Sequence, residues 1–369
     1  MRKAKALLVL LSCMLVLTGC WDKVELEDRA FVLAIGVDKA EVPTTDEVAE
    51  ARDKYLFTFV NPDTAKAEEG KVLDFVTFQV QAPSYTIGIT RLLQSFAQFH
   101  SYEHTKVLIF GRELMEDPVL LKSMLDNFAR GHQFIISMYV FTTHNKAADI
   151  FQAKLKMKSL LAYYITGIAD NEKYASRVGK LTLLDFMRQV LDNDGDAVIP
   201  SLDLHENGVT SSYLAMIKGY KYIGHMDAKE TVAWKWLNGE AKGGVIQIQD
   251  GDIPVPFNYS TFKRRIYLDK IEGKKIYITY DMQTEGSIEE YILGKKLLDR
   301  DKIQQLEREL EQIIVKDSMY LVKKMKEEYK VDLLGIRDFL RKFHPMVYEE
   351  VMKDFENNFQ DNIIINVKA

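Results

Sequence analysis

A mixed α/β first half joined to an α+β second half is the architecture this sequence predicts, and three observations carry it. Strand-like apolar runs alternate with amphipathic helical stretches from Phe31 to Asp192. The cluster Asp192-Asn193-Asp194-Gly195-Asp196 then interrupts the chain with the residue types of a turn or linker. Beyond it, short strands separated by glycines precede long helices, as in a sheet covered on one face. The 369 residues suffice for about two domains. The predicted division is a signal segment over 1–19, an α/β domain over 20–196 and an α+β domain over 197–369, its antiparallel sheet covered by long helices.

Taken in order, Phe31–Asp38 (FVLAIGVD) is a short β-branched apolar run and predicts a buried strand. Residues 39–53 are acidic and polar, a surface loop. Tyr55–Asn61 and Asp74–Ala82 alternate apolar and polar residues, as half-buried strands do. Ile89, Leu92, Leu93, Phe96 and Phe99 have helical spacing and predict a helix over 86–99. Lys106–Phe110 is strand-like. Leu120, Leu121, Met124, Leu125 and Phe128 share one side of a helix over 118–130, and a strand over 135–142 follows. Residues 147–192 are mainly helical. In the second half, strands are predicted over 213–218, 220–224, 244–249, 262–271 and 275–282, the last two flanking a Glu272-Gly273 hairpin signal. A long amphipathic helix over 301–330 has Ile303, Leu306, Leu310, Ile313, Ile314 and Leu321 as its stripe. Helices over 335–343 and 347–357 and a strand over 363–367 close the chain.

The amino terminus is an address. Arg2, Lys3 and Lys5 precede an apolar run over 6–17 (ALLVLLSCMLVL), the n-region and h-region of a secretory signal. Twelve helical residues span about 18 Å, short of the roughly 30 Å hydrocarbon core, so a permanent transmembrane helix is the weaker reading. Leu17-Thr18-Gly19-Cys20 ends the run with an apolar residue, two small ones and a cysteine. This is the bacterial lipobox pattern. The thiol takes a diacylglyceryl group as a thioether, and the small residues let a protease reach the Gly19–Cys20 bond. The alternative is an uncleaved anchor with a chance cysteine. Trp21 then stands where indole rings collect, at the headgroups.

Cysteine and charge arithmetic close several classes. The other cysteine, Cys13, lies inside the segment to be removed. A mature chain with one alkylated thiol has no intramolecular disulfide, no Cys-ligated zinc and no thiol nucleophile. The net charge is −5, and −8 without the three basic residues of the signal. An acidic body argues against phosphate-backbone binding.

Motifs that carry chemistry are sparse. His100-Ser101-Tyr102-Glu103-His104 matches H-x-x-E-H, a zinc-protease pattern that needs both imidazoles on one helical face. Here it falls at a predicted helix–strand junction, and polar residues crossing a connection account for it better. Asp192–Asp196 is oxygen-rich. Counted from Asp192, however, the twelfth position of an EF-hand loop is Asp203 rather than Glu. Gly243-Gly244 stands alone, without a phosphate-binding glycine pattern or a nucleophile elbow. His132, His144, His205 and His225 have no metal-ligand spacing. Trp234-x-Trp236, predicted on a strand or turn, suits packing better than ligand stacking. No catalytic, metal-binding or cofactor-binding residue is assigned.

One resemblance extends over nearly the whole chain. Cys20-Trp21-Asp22-Lys23-x-Glu25-Leu26-x-Asp28 followed by Val32-x-Ala34-Ile35-Gly36-Val37-Asp38 resembles the start of mature Ger(x)C lipoproteins, the C subunits of spore germinant receptors. The central stretch His104–Leu114, Arg130-Gly131-His132, Ile199-Pro200-x-Leu202, Ala215–Gly224 and Asp332-Leu333-Leu334-Gly335 continue it. The resemblance implies a non-enzymatic subunit, anchored through Cys20 to the outer leaflet of the spore inner membrane, working with multi-span A and B subunits. It also implies several α/β domains, so the first half can itself be two. It places His104 at a strand entry. The competing classes are a lipoprotein solute-binding protein of a transporter, which needs two similar lobes, and a membrane-tethered zinc protease.

Overall fold

The computed structural model describes residues 29–41, 53–63, 74–131, 136–155, 160–206, 208–291 and 299–369. The predicted signal segment 1–19, Cys20, Trp21, most of the acidic loop and His132 lie outside the described residues.

The first half comprises β1 (Arg29–Phe31), β2 (Ala34–Lys39), β3 (Tyr55–Pro62), β4 (Phe75–Ala82), α1 (Tyr85–Ser95), β5 (Phe99–Ser101), β6 (Val107–Phe110), α2 (Arg112–Met115), α3 (Pro118–Arg130), β7 (Tyr139–Thr143), α4 (Ala147–Ile150), α5 (Leu161–Asp170) and α6 (Leu183–Asp192). Local chemistry starts the helices. Asp117 accepts from the amides of Val119 and Leu120 at 3.2 and 3.1 Å, with Pro118 as the first residue of α3. Thr182 caps α6 through the amide of Asp185 at 3.2 Å. Two expectations need correction. The strand predicted over 31–38 is split, because Val32 donates to the Ser101 carbonyl and Leu33 to that of Val60. The helix predicted to Phe99 ends at Ser95, because Phe99–Ser101 leaves it to pair in parallel with β1.

After the Asp192–Asp196 turn come β8 (Ala197–His205), β9 (Gly208–Lys218) and β10 (Lys221–Met226). All three join the sheet of the first half. The main sheet runs β10-β9-β8-β7-β6-β2-β3-β4, with β2, β6, β7 and β8 mutually parallel. A border at 196/197 would cut this sheet, and the change of architecture comes after Met226. Nor is the turn a free linker. Asp196 is buried and accepts from the Gly219 amide at 2.9 Å. Asp194 and Asp196 pair with Arg337 at 3.1 and 3.5 Å, and Asp192 with Arg341 at 3.3 Å.

The continuous apolar runs are explained by burial of both sheet faces. Ile35, Val37, Leu108 and Phe110 face α1, α3 and α6. Their neighbours Ala34, Val107 and Ile109 face α4 and α5.

The second half begins with α7 (Ala228–Asn238), then β11 (Gly244–Asp250), β12 (Ile253–Glu272), β13 (Lys275–Ile288), α8 (Arg300–Lys324), α9 (Ile336–Phe343), α10 (Pro345–Met352), α11 (Phe355–Asn357) and β14 (Ile363–Lys368). Its sheet runs β11-β12-β13-β14. The predicted sheet is corrected in one respect: β14 returns parallel to β13, so it is not wholly antiparallel. Trp234 and Trp236, expected on a strand or turn, sit in α7. Both are buried because this helix packs between the main sheet and the second one, touching β9, β10, β12, β13 and α8. A core containing Val198, Leu214 and Met216 from the first half and Ile278, Leu321 and Leu340 from the second closes around it. The two sheets, eight-stranded and four-stranded, are unlike, which removes the pair of similar lobes a solute-binding protein needs. Among the described residues no helix is long and apolar enough to cross a membrane.

Candidate functional site

The carboxyl ends of the parallel strands bring chemistry together, as they do in open α/β sheets generally. Asp38 is the penultimate residue of β2, Gly111 and Arg112 follow β6, His144 and Asn145 follow β7, and Asp203 lies near the end of β8. The Asp38 carboxylate is buried and accepts from the amides of Ala147 and Ala148 at 2.7 and 3.1 Å. Burial raises its pKa to about 6, against the two amide bonds, which lower it. Gly111 makes room: a Cβ there would lie 1.9 Å from Asp38 Oδ1.

Around this carboxylate, His144 Nδ1 lies 2.6 Å from Asp203 Oδ1, and its ring meets that of His225 edge-on at 5.0 Å. His225 Nδ1 is 3.3 Å from the Tyr222 hydroxyl. The Arg112 guanidinium stacks 3.8 Å above the Tyr222 ring. Asp38, Arg112 and His144 border a cleft of about 440 Å³ lined by both signs of charge, with Glu113, Lys146 and Asp149 also on its wall. The His144–Asp203 pair can orient an imidazole, and no serine, threonine or cysteine lines the cleft beside it. The arrangement is suited to binding charged groups.

Asp38 gives a pH signature. Its folded pKa lies above the ordinary carboxylate value, so it adds stability at low pH that is lost as pH rises through about 6. Asp196, also raised to about 6 by burial, acts in the same direction. Asp170, held down chiefly by its hydrogen bond from Lys180, titrates below this window. Urea unfolding at pH 5 and 7.5 should show wild type losing about 1 kcal/mol more across the interval than Asp38→Asn. Equal losses would mean that Asp38 titrates normally.

The other sequence candidates separate. His100 lies on β5, buried against Phe78 and Phe96, whereas His104 lies in the turn before β6 and meets Phe31 edge to face. The H-x-x-E-H residues share no helix, so the geometry of a zinc protease is not formed. Among the described residues no group of three or more metal-ligating side chains converges. Gly243 and Gly244 lead into β11 against Lys173 and Ser176. Gly19 and Cys20 lie outside the described residues. The sequence reading missed the His144–Asp203–His225–Tyr222 cluster, whose members are far apart in the chain.

A buried ion pair joins the halves. Lys235 of α7 and Glu172, in the turn after α5, meet at 3.0 Å with almost no exposure, and Lys242 reaches the second carboxylate oxygen at 2.7 Å.

Residues 22–204 match the family model described as the spore germination protein N-terminal domain, and residues 212–369 the spore germination B3/GerAC-like C-terminal domain. The two matches thus meet within β8 and β9. Spore germination protein YndF of Bacillus subtilis (strain 168) is 26% identical, over 97% of this chain and 93% of its own length. Spore germination protein B3 of the same organism is 22% identical, over 98% and 95%. The crystal structure of the GerBC protein superposes with a TM-score of 0.57 at 21% identity, covering 91% of this chain and 97% of that one.

Proposed function

Because the chain belongs to the spore germination B3/GerAC-like family, the Ger(x)C proteins, we propose that it is the lipid-anchored, non-catalytic C subunit of a nutrient germinant receptor. The observation that carries this reading is the family match along both halves, and the lipobox adds the anchor. Cys20 takes a diacylglyceryl group after cleavage at Gly19–Cys20, and the two acyl chains hold the protein stably where one would not. The mature protein sits on the outer leaflet of the spore inner membrane and assembles with multi-span A and B subunits. Nine peptide units separate Cys20 from Arg29, so β1 stays within about 30 Å of the lipidated residue. The cleft lined by charged groups of both signs supports a role in binding.

Fractionation of spores carrying the tagged chain tests this. Wild type is expected in the membrane fraction together with two multi-span proteins, and Cys20→Ala in the soluble fraction or as an uncleaved precursor. A Cys20→Ala protein that still matures and stays with the membrane would refute the lipid anchor. Recovery of wild type without multi-span proteins would refute the subunit assignment.

A further inference from the structure

The second sheet ends in a strand with one neighbour. β11 pairs only with β12 among the described residues. Its register decides which backbone groups turn outward. Gln247 and Gln249 stand opposite Pro256 and Pro254. Proline has no N–H to donate, so these are the non-hydrogen-bonded pairs of the ladder. Ile246 and Ile248 therefore exchange bonds with β12, while the amides and carbonyls of Val245, Gln247 and Gln249 point away from it. That is a row of three donors and three acceptors along a run of about 17 Å.

Proteins usually guard such an edge with charge, proline or a bulge. The other edges of the two larger sheets have these devices. β14 carries Lys368, and β10 carries Lys221 and a bulge between Tyr222 and Gly224. On β4, Arg91 bonds the Gln81 carbonyl. β11 reads GVIQIQ before Asp250, without charge or proline.

Beside the edge lies a trench of about 520 Å³, bordered by the apolar Val245, Val232, Trp236 and Ile313, by Arg177 of the first half, and by Asp227 and the Lys229–Asp317 ion pair. One end is closed where Gly243 abuts the Lys173 carbonyl, 2.2 Å from where a Cβ would stand.

We propose that an extended segment of a multi-span receptor subunit adds to β11 as a fifth strand. Only another strand presents donors and acceptors at the spacing this edge offers. The segment would be about five residues long, with apolar side chains entering the trench at alternate positions. A carboxylate would meet the exposed Arg177 guanidinium. The inference rests on the receptor-subunit reading.

The full-length tagged chain, purified from spore membranes, tests it with two variants. Gln247→Pro removes one outward N–H and leaves the bonds to β12 intact, a change edge strands tolerate. Val245→Lys keeps the backbone and puts a charge on the rim. Both are expected to melt like wild type and to remain membrane-bound. Each should recover the multi-span subunits at least about ten-fold less efficiently. If Gln247→Pro melts early, Val245→Lys decides. Wild type recovering no multi-span protein would overturn the receptor-subunit reading. Equal recovery by wild type and Val245→Lys would overturn the edge alone. Loss of a self-dimer with unchanged subunit recovery would replace the proposed occupant with a second copy of this chain.

Discussion

Lys235→Ala is expected to lower the unfolding free energy by roughly 3–5 kcal/mol, the usual cost of stranding one member of a buried ion pair. The Lys235 ammonium has 1% exposure and contacts Glu172 at 3.0 Å and the Val178 carbonyl. Burial pushes the lysine's pKa down, and the Glu172 charge opposes that shift. Without the ammonium, the Glu172 carboxylate keeps only Lys242, whose side chain is 60% exposed and therefore well solvated. The pair also ties α7 to the turn after α5, so its loss should loosen the junction between the halves. Lys235→Met combined with Glu172→Leu removes both charges and keeps volume, and should recover most of the loss. Urea unfolding of the three proteins checks this. A single variant losing less than about 1 kcal/mol would show that the pair is hydrated in solution.

Asp332→Ala should cost about 3 kcal/mol or more. The Asp332 carboxylate is buried and accepts from the amides of Leu334, Ile336 and Arg337 at 3.1, 3.3 and 2.7 Å. Gly335 turns the chain into α9 with φ of 79°, so no side chain at that position can serve the orphan amides. Alanine leaves three buried N–H groups without a partner, each costing about 1–3 kcal/mol before relaxation. Asp332→Asn retains an acceptor and should lose less. The damage should spread, because the same turn presents Arg337 to Asp194 and Asp196 and, one turn on, Arg341 to Asp192. Wild type is therefore expected to resist limited proteolysis at 192–196, against the exposed hinge that composition suggests there. The alanine variant should be cut at that turn. Thermal unfolding and mass analysis of the fragments measure both effects.

Much of the local structure was legible in the sequence. The apolar runs at 55–61, 74–82 and 106–110 are strands, and the stripe from Leu120 to Phe128 is a helix face. Helices α8 and α9 lie where the periodicity put them, because each buries one side and exposes the other. α7 escaped for the opposite reason. It is buried nearly all round, so tryptophans two residues apart are both inside and the amphipathic signal vanishes. The single strand predicted over 31–38 broke in two because β5 and β3 each claim part of its backbone.

The candidate cleft was invisible in the sequence because its parts are distributed. Asp38, Arg112, His144 and Asp203 meet only where the parallel strands β2, β6, β7 and β8 end side by side, and His225 reaches His144 from the antiparallel strand β10. By itself the sequence determined most of the elements and the family, since periodicity, capping and motif spacing act over a few residues to a few turns. Tertiary structure alone decided that β8, β9 and β10 complete the first sheet and that β14 returns parallel to β13. It also decided which amides of β11 face outward. Strand pairing joins residues far apart in the chain, and its register follows from the backbone groups that both partners have free.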